Sequence, residues 1–387
     1  MRKFLKPVIP FLLAISLLAG CSAQSIPDSG AANPVGSENA PPVVTALSDN
    51  PLPSASAENT GVPADSTFSV HFIDVGQADA ALIRCDGHSM LIDGGNKEDS
   101  NLIYSVLKEA GIDQLDYVVA THGHEDHLGG LPGAYQYANA HLTFCPVTEY
   151  DSRAFEDFAK YANEKGGGIT VPCVGDIYNL GSATVTILGV NGGEDTNDTS
   201  IVLKVQYGET SFLFTGDAER AAEQTILDSG ADLSATVLKV GHHGANTSTS
   251  YPFLREIMPQ YAVISVGEGN SYGHPTEETL SRLRDADVTV YRTDMQGDIY
   301  CVSDGKTVTF STDKNENADT LDGIGPNSTQ TAQTSDAEYV LNTNSKKFHS
   351  PSCENAEKIS EKNRSSFNGS REDLIAQGYT PCGFCEP

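Results

Sequence analysis

The stretch "THGHEDHLGG", residues 121–130, places three histidines and an aspartate within six positions, directly after the apolar run "LDYVVA". Side chains of this kind, crowded into one tight loop, can point alternate positions at one ion and the next pair at a second. Neutral imidazole and carboxylate suit zinc or manganese. Gly123 and the pair Gly129-Gly130 are expected to let the backbone turn closely around the cluster. A chain built this way must present strand ends to a common site, which points to a layered α/β fold rather than a helical bundle.

The rest of the chain agrees. Apolar, β-rich runs recur at 68–74, 81–85, 89–93, 117–121, 184–188, 201–207, 210–215, 235–240, 262–266 and 288–292. Helical patterns interleave at 101–110, 152–165, 218–229 and 276–285. Most of the strands are nearly continuous apolar segments, as expected when one face of a sheet carries helices and the other packs on a second layer. The 387 residues divide by composition into an apolar leader at 1–21, a stalk at 22–66, a body at 67–311, a linker at 312–336 and a small module at 337–387. The stalk and the linker are too polar to bury a core. No internal repeat recurs at a fixed period.

The leader carries Arg2, Lys3 and Lys6, then an apolar run too short to span a bilayer stably, and ends in "LAGC". This resembles a bacterial lipobox, which implies cleavage before Cys21, lipidation of its thiol, export, and a lipid anchor on the outer face of the membrane. The formal charge of -28 argues against simple electrostatic capture of nucleic acid or an anionic surface. A polyanionic substrate would need bound cations to draw it in.

"HGHEDH" matches the HxHxDH motif of the metallo-β-lactamase superfamily. "FIDVGQADAALI", "MLIDGG", "NDTSIVLKV", "FLFTGD", "LKVGHHGANTS" and "NSYGHP" follow in the order of one branch, and together resemble the hydrolase domain of the competence protein ComEC over residues 68–310. The resemblance implies an αββα sandwich. It also implies one or two divalent ions, with His122 and His124 on one, Asp126 and His127 on the other, and Asp217 bridging. One of His242 and His243 would complete the second site, and the other would contact substrate. Asp93 and Asp74 would steady the ligands from behind. His274, Asn197 and Ser200 (with Thr199 equally arguable) would touch substrate, with His274 at a phosphate or leaving oxygen. His141 is the only histidine between the first motif and Asp217, and it reads as a strand residue away from the site.

In the C-terminal module, His349 and Cys353 stand four apart, and Cys382 and Cys385 form a CxxC pair. One histidine and three cysteines fit a closed structural zinc site that would staple a small α+β module. The segment resembles the Ada-type metal-binding domain of a bacterial DNA-repair methyltransferase, except that His349 stands where a cysteine is usual. That departure gives no ground for methyl transfer. Lys346, Lys347, Arg364 and Arg371 offer a small basic face for phosphates. Cys85, Cys145, Cys173 and Cys301 read as small core residues. The combined expectation is an exported metal-dependent phosphodiesterase acting on DNA with metal-activated water, in which Asp126, His242, His243 and His274 assist the chemistry. The alternatives are a cell-wall or small-molecule phosphoesterase and a non-catalytic DNA-binding surface protein.

Overall fold

The structure, a computed structural model, describes residues 62–322 except Ala64, 337–369 except Ser352, and residues 374 and 378–382. The leader with Cys21, most of the stalk, Arg371 and Cys385 lie outside the described residues.

Two sheets form the body. One orders its eight strands as Val308–Thr312, Ile299–Ser303, Phe68–Phe72, Ala81–Cys85, His88–Ile92, Gln114–Val119, Asn139–Phe144 and Ile169–Thr170. The other orders seven as Thr289–Arg292, Tyr261–Ile264, Val237–Lys239, Thr210–Phe214, Val202–Tyr207, Ala183–Gly189 and Ile177–Leu180. In each sheet antiparallel pairing passes into parallel pairing, at His88–Ile92 beside Gln114–Val119 and at Thr210–Phe214 beside Val237–Lys239. The two halves therefore repeat one topology without repeating sequence. The loops that leave the parallel strands carry the site residues.

Burial explains the layering. Phe68, Phe72, Ile83 and Met90 from the first sheet meet Leu203, Val205, Phe212 and Phe214 from the second in one apolar core. The outer face of the first sheet packs Leu91, Leu115 and Val118 against helices Ser100–Glu109, Leu131–Tyr137 and Arg153–Lys165. The outer face of the second packs Leu213, Leu238 and Ile264 against Arg220–Ser229, Tyr251–Ile257 and Glu277–Asp285. The central strands, such as His88–Ile92, Val202–Tyr207, Thr210–Phe214 and Val237–Lys239, are buried on both faces, which is why they read as continuous apolar runs. The order helix, sheet, sheet, helix is the expected αββα sandwich.

The body is longer at both ends than composition indicated. Thr320 is buried and donates its hydroxyl to the carbonyl of Val290 at 2.7 Å, while Arg292 reaches the carbonyls of Thr320 and Asp322. Residues 313–322 are thus held mainly by hydrogen bonds to their backbone, with Leu321 alone packing on the outer core of the second sheet, and composition does not register that. Ser66 likewise ties the end of the stalk to Asp86 and Tyr207. Cys173 is exposed, unlike Cys85, Cys145 and Cys301, because it sits in the turn before Ile177–Leu180 and not on a core strand.

The C-terminal module is a four-stranded sheet in the order Arg364–Gly369, Ala337–Asn342, Lys347–His349, Thr380–Pro381, with the short helix Glu354–Glu357 beside it. His349, Cys353 and Cys382 are buried and can converge on one ion, with Cys353 Sγ 3.5 Å from His349 Nδ1. Val340, Ala356 and Ile359 close over this cluster.

Gly129 and Gly130 have ordinary helical dihedrals, so φ is not what demands glycine there. A Cβ on Gly130 would run into the carbonyl of Gly94, in the loop that follows His88–Ile92. Replacing Gly130 with alanine should therefore cost about 1–3 kcal/mol, as overpacking does. Urea unfolding would register this as a lower midpoint at unchanged slope.

Candidate metal centre

Asp93 anchors the centre. It sits at φ +56°, fully buried, with one carboxylate oxygen accepting the Thr121 N–H at 2.8 Å. The other accepts the Thr121 hydroxyl at 2.8 Å and faces His127 Nδ1 at 2.9 Å. With His127 Nδ1 committed to Asp93, its Nε2 is turned toward Asp217 Oδ1, 3.2 Å away. These two atoms are not aligned for a hydrogen bond, and each is buried with no hydrogen-bond partner. Buried polar atoms are rarely left so. Asp126, His127, Asp217 and His243 can bring one ligand atom each to within 4.8 Å of one another, which fits a shared cation. Imidazole and carboxylate donors match the zinc- or manganese-type ion expected.

His122 and His124 form the adjoining group. His122 Nε2 and His124 Nδ1 lie 3.0 Å apart, close to the spacing of two ligands around one ion. Asp217 Oδ2 is 3.9 Å from His122 Nε2, so Asp217 is the carboxylate common to both groups. Its own loop is held by Ser200, whose hydroxyl oxygen accepts the Asp217 N–H at 3.1 Å.

The two adjacent histidines are resolved by a turn, not by strand alternation. His242 and His243 both lie in the left-handed region, at φ +48° and +53°, within the turn Gly241–Gly244. Such residues cost of order 1–3 kcal/mol each and persist only when their surroundings impose them. Here Thr249 accepts the Gly241 N–H, and the Gly216 carbonyl accepts the His242 N–H. His243 donates Nδ1–H to the Ser265 carbonyl at 3.0 Å, leaving Nε2 3.2 Å from Asp126 Oδ2. His242 instead bonds Glu219 through Nδ1 at 3.0 Å and sets Nε2 3.7 Å from Asp217 Oδ2. His243 is thus in the cluster and His242 at its rim.

Charge follows the geometry. Burial alone would depress His127 and His243, but the surrounding carboxylates outweigh it. Asp217, Asp93 and Asp126 hold His127 well above its ordinary value, and Asp217 and Asp79 push His243 up to about 10. Burial and the neighbouring His127 hold His122 well below its ordinary value. Burial and His242 lower His274 to about 4.

Three expected site residues stand elsewhere. Asp74 binds no site imidazole; it accepts the Gly76 N–H while its own N–H is taken by Asp298. Its place behind the ligands belongs to Asp79, whose Oδ1 is 3.2 Å from His243 Nδ1 and whose Oδ2 pairs with Lys239 at 2.8 Å. Nothing in the residue pattern sets Asp79 or Lys239 apart, although both lie inside the quoted motifs. Asn197 and Ser200 are buried and support Glu219 and Asp217, so they do not face substrate. Thr199 closes its own turn onto Thr196. His274 is half-buried, with its ring 5.6 Å from that of His242. His141 is exposed on Asn139–Phe144, away from the cluster. Gly123 is needed for contact rather than for a turn, since a Cβ there would press on the Tyr150 ring.

The metallo-beta-lactamase superfamily model matches residues 73–268. The chain belongs to that superfamily. Among curated proteins it is 28% identical over 266 residues to ComE operon protein 3 of Bacillus subtilis (strain 168), covering 64% of this chain and 34% of that protein. It is 30% identical over 226 residues to competence protein ComA of Neisseria gonorrhoeae, covering 58% and 30%. Recombination protein 2 of Haemophilus influenzae matches at 28% over 242 residues, covering 60% and 28%. The chain is therefore ComEC-like, and spans about a third or less of the length of these relatives. Membership makes it a metal-dependent hydrolase by fold, and the buried Asp–His cluster is where a divalent ion fits.

Because the surrounding carboxylates raise the pKa of His127 and His243, a cation that binds them competes with protons. Affinity should thus rise with pH through neutrality and on toward about 10, where His243 gives up its proton. Titrating the metal-free full chain with manganese, an ion poorly suited to the module's thiolates, should release protons in calorimetry across buffers of differing protonation enthalpy. Uptake without proton release would show those imidazoles to be neutral.

Proposed function

We propose that the chain is an exported, lipid-anchored phosphodiesterase that cleaves DNA. The observation that carries the reading is the grouping of His122, His124, Asp126, His127 and His243 around Asp217, with His242 and His274 at its rim. ComEC-like relatives and the lipobox-like leader support the substrate and the location.

The ligand set would hold one or two zinc- or manganese-type ions, which when bound supply Lewis acidity and an activated water. The chain's own residues do the rest. Asp217 sets the two groups of ligands at a fixed separation, and Ser200 fixes Asp217. His242, oriented by Glu219, is the proton donor to the leaving oxygen; Glu219 raises its pKa by accepting Nδ1–H, against the opposing pull of burial. Glu219 is itself fixed by Asn197 and Thr247. His274 stays neutral near pH 7, so it acts as a hydrogen-bonding group for a phosphate oxygen rather than as an acid. The Gln77 amide lies 3.4 Å from His274 Nδ1, which leaves Nε2–H as the donor toward substrate. The module's His349, Cys353 and Cys382, with Cys385 beyond the described residues, would hold a structural zinc. Its Lys346, Lys347 and Arg364 would add phosphate contacts.

Incubating the purified full chain with linear and circular DNA and manganese or zinc tests this. His124→Ala and Asp217→Ala should each lower cleavage about a hundred-fold or more, as loss of a ligand should exceed the 10–100-fold typical of outer-shell partners. Intact DNA alongside hydrolysis of a small cell-wall phosphodiester would overturn the DNA reading.

A further inference from the structure

We propose that Tyr272 is the residue that seats an unpaired nucleobase beside the site, so that the preferred substrate is single-stranded DNA. This rests on the phosphodiesterase reading above. Tyr272 is 71% exposed, an unusual position for so large a ring. One face of it stacks on His274, with centroids 5.8 Å apart and planes 25° from parallel. His274 in turn meets His242 edge-on at 5.6 Å, and His242 Nε2 lies 3.7 Å from Asp217. A line of three rings thus leads from solvent to the buried carboxylate.

The loop that presents Tyr272 is already ordered. Asn270 Oδ1 accepts the N–H groups of both Tyr272 and His274 at 3.1 Å. Its Nδ2 donates to the carbonyls of Gly267 at 3.0 Å and His274 at 2.6 Å. Gln77 accepts the Gly267 N–H at 3.0 Å. A ring fixed on one face and exposed on the other is a platform whose ordering cost is met before a ligand arrives.

Charge favours the same reading. At a formal -28 the chain has little positive surface with which to hold a phosphate backbone. Lys239, at the end of Val237–Lys239 behind the cluster, is already paired with Asp79. Beyond the bound cations and the few basic residues of the C-terminal module, base stacking is a general source of affinity for a strand that does not need positive surface. Only an unpaired base offers its face, since duplex bases are already stacked.

The test compares Tyr272→Ala, Tyr272→Phe and Tyr272→Trp in the full chain with manganese. On oligothymidylate, Tyr272→Ala should raise KM about 10-fold with kcat within about two-fold. Phenylalanine and tryptophan should restore KM. On an abasic oligonucleotide of the same length, wild type and Tyr272→Ala should share one KM. An unchanged KM on oligothymidylate, an equal loss on the abasic strand, or a wild-type preference for duplex would overturn the inference while leaving the phosphodiesterase reading intact. No DNA cleavage by wild type would overturn both. Cleavage confined to a choline phosphodiester and weakened in Tyr272→Ala would also do so, and would assign the ring to a quaternary ammonium.

Discussion

His127 Nε2 and Asp217 Oδ1 face each other in the interior, 3.2 Å apart, with no hydrogen bond between them or to any other group. An arrangement that buries ionisable atoms in this way is costly unless something satisfies them. The sandwich supplies that burial, because the loops leaving the parallel strands of both sheets close over the same point. His122, His124, Asp126 and His127 come from the first half of the chain, and Asp217 and His243 from the second. The centre exists only where the halves meet, so the interior core and the site form together.

Behind the cluster stands a layer that holds three of the imidazoles by the far nitrogen. Asp93 takes His127, the Ser265 carbonyl takes His243, and Glu219 takes His242. Fixing the outer nitrogen turns the inner one to the centre and sets its tautomer. The buried pair of Asp79 and Lys239 adds a partner that links the loop after Phe68–Phe72 to strand Val237–Lys239. Removing one member of such a pair would strand the other, at a cost of about 3–5 kcal/mol. The left-handed histidines are held by the same layer, since the Gly241–Gly244 turn is tied to Thr249 and Gly216.

Much of this was legible in the sequence. The doubly buried strands announce themselves as apolar runs, and the HxHxDH spacing places the ligands. The short or amphipathic pieces are not legible in the same way. Strands Ile169–Thr170 and Val308–Thr312 are too short or too exposed to carry a pattern, and helix Tyr251–Ile257 is brief and begins with proline at its second position. Asp79 is not legible because a single acid in "GQADA" resembles a turn residue until the fold brings Lys239 and His243 to it. Asn197 and Ser200 read as substrate contacts for the converse reason: polar loop residues beside a site look alike whether they face the substrate or the carboxylate they support. The choice between His242 and His243 needed the left-handed turn, which no pattern of side chains encodes.

The buried Asp–His cluster has the donors and the unsatisfied atoms of a cation site. An anomalous difference map from crystals of the full chain grown with manganese tests it most directly. The account predicts a peak among Asp126, His127, Asp217 and His243. A cluster that stays free of metal in those crystals would contradict it.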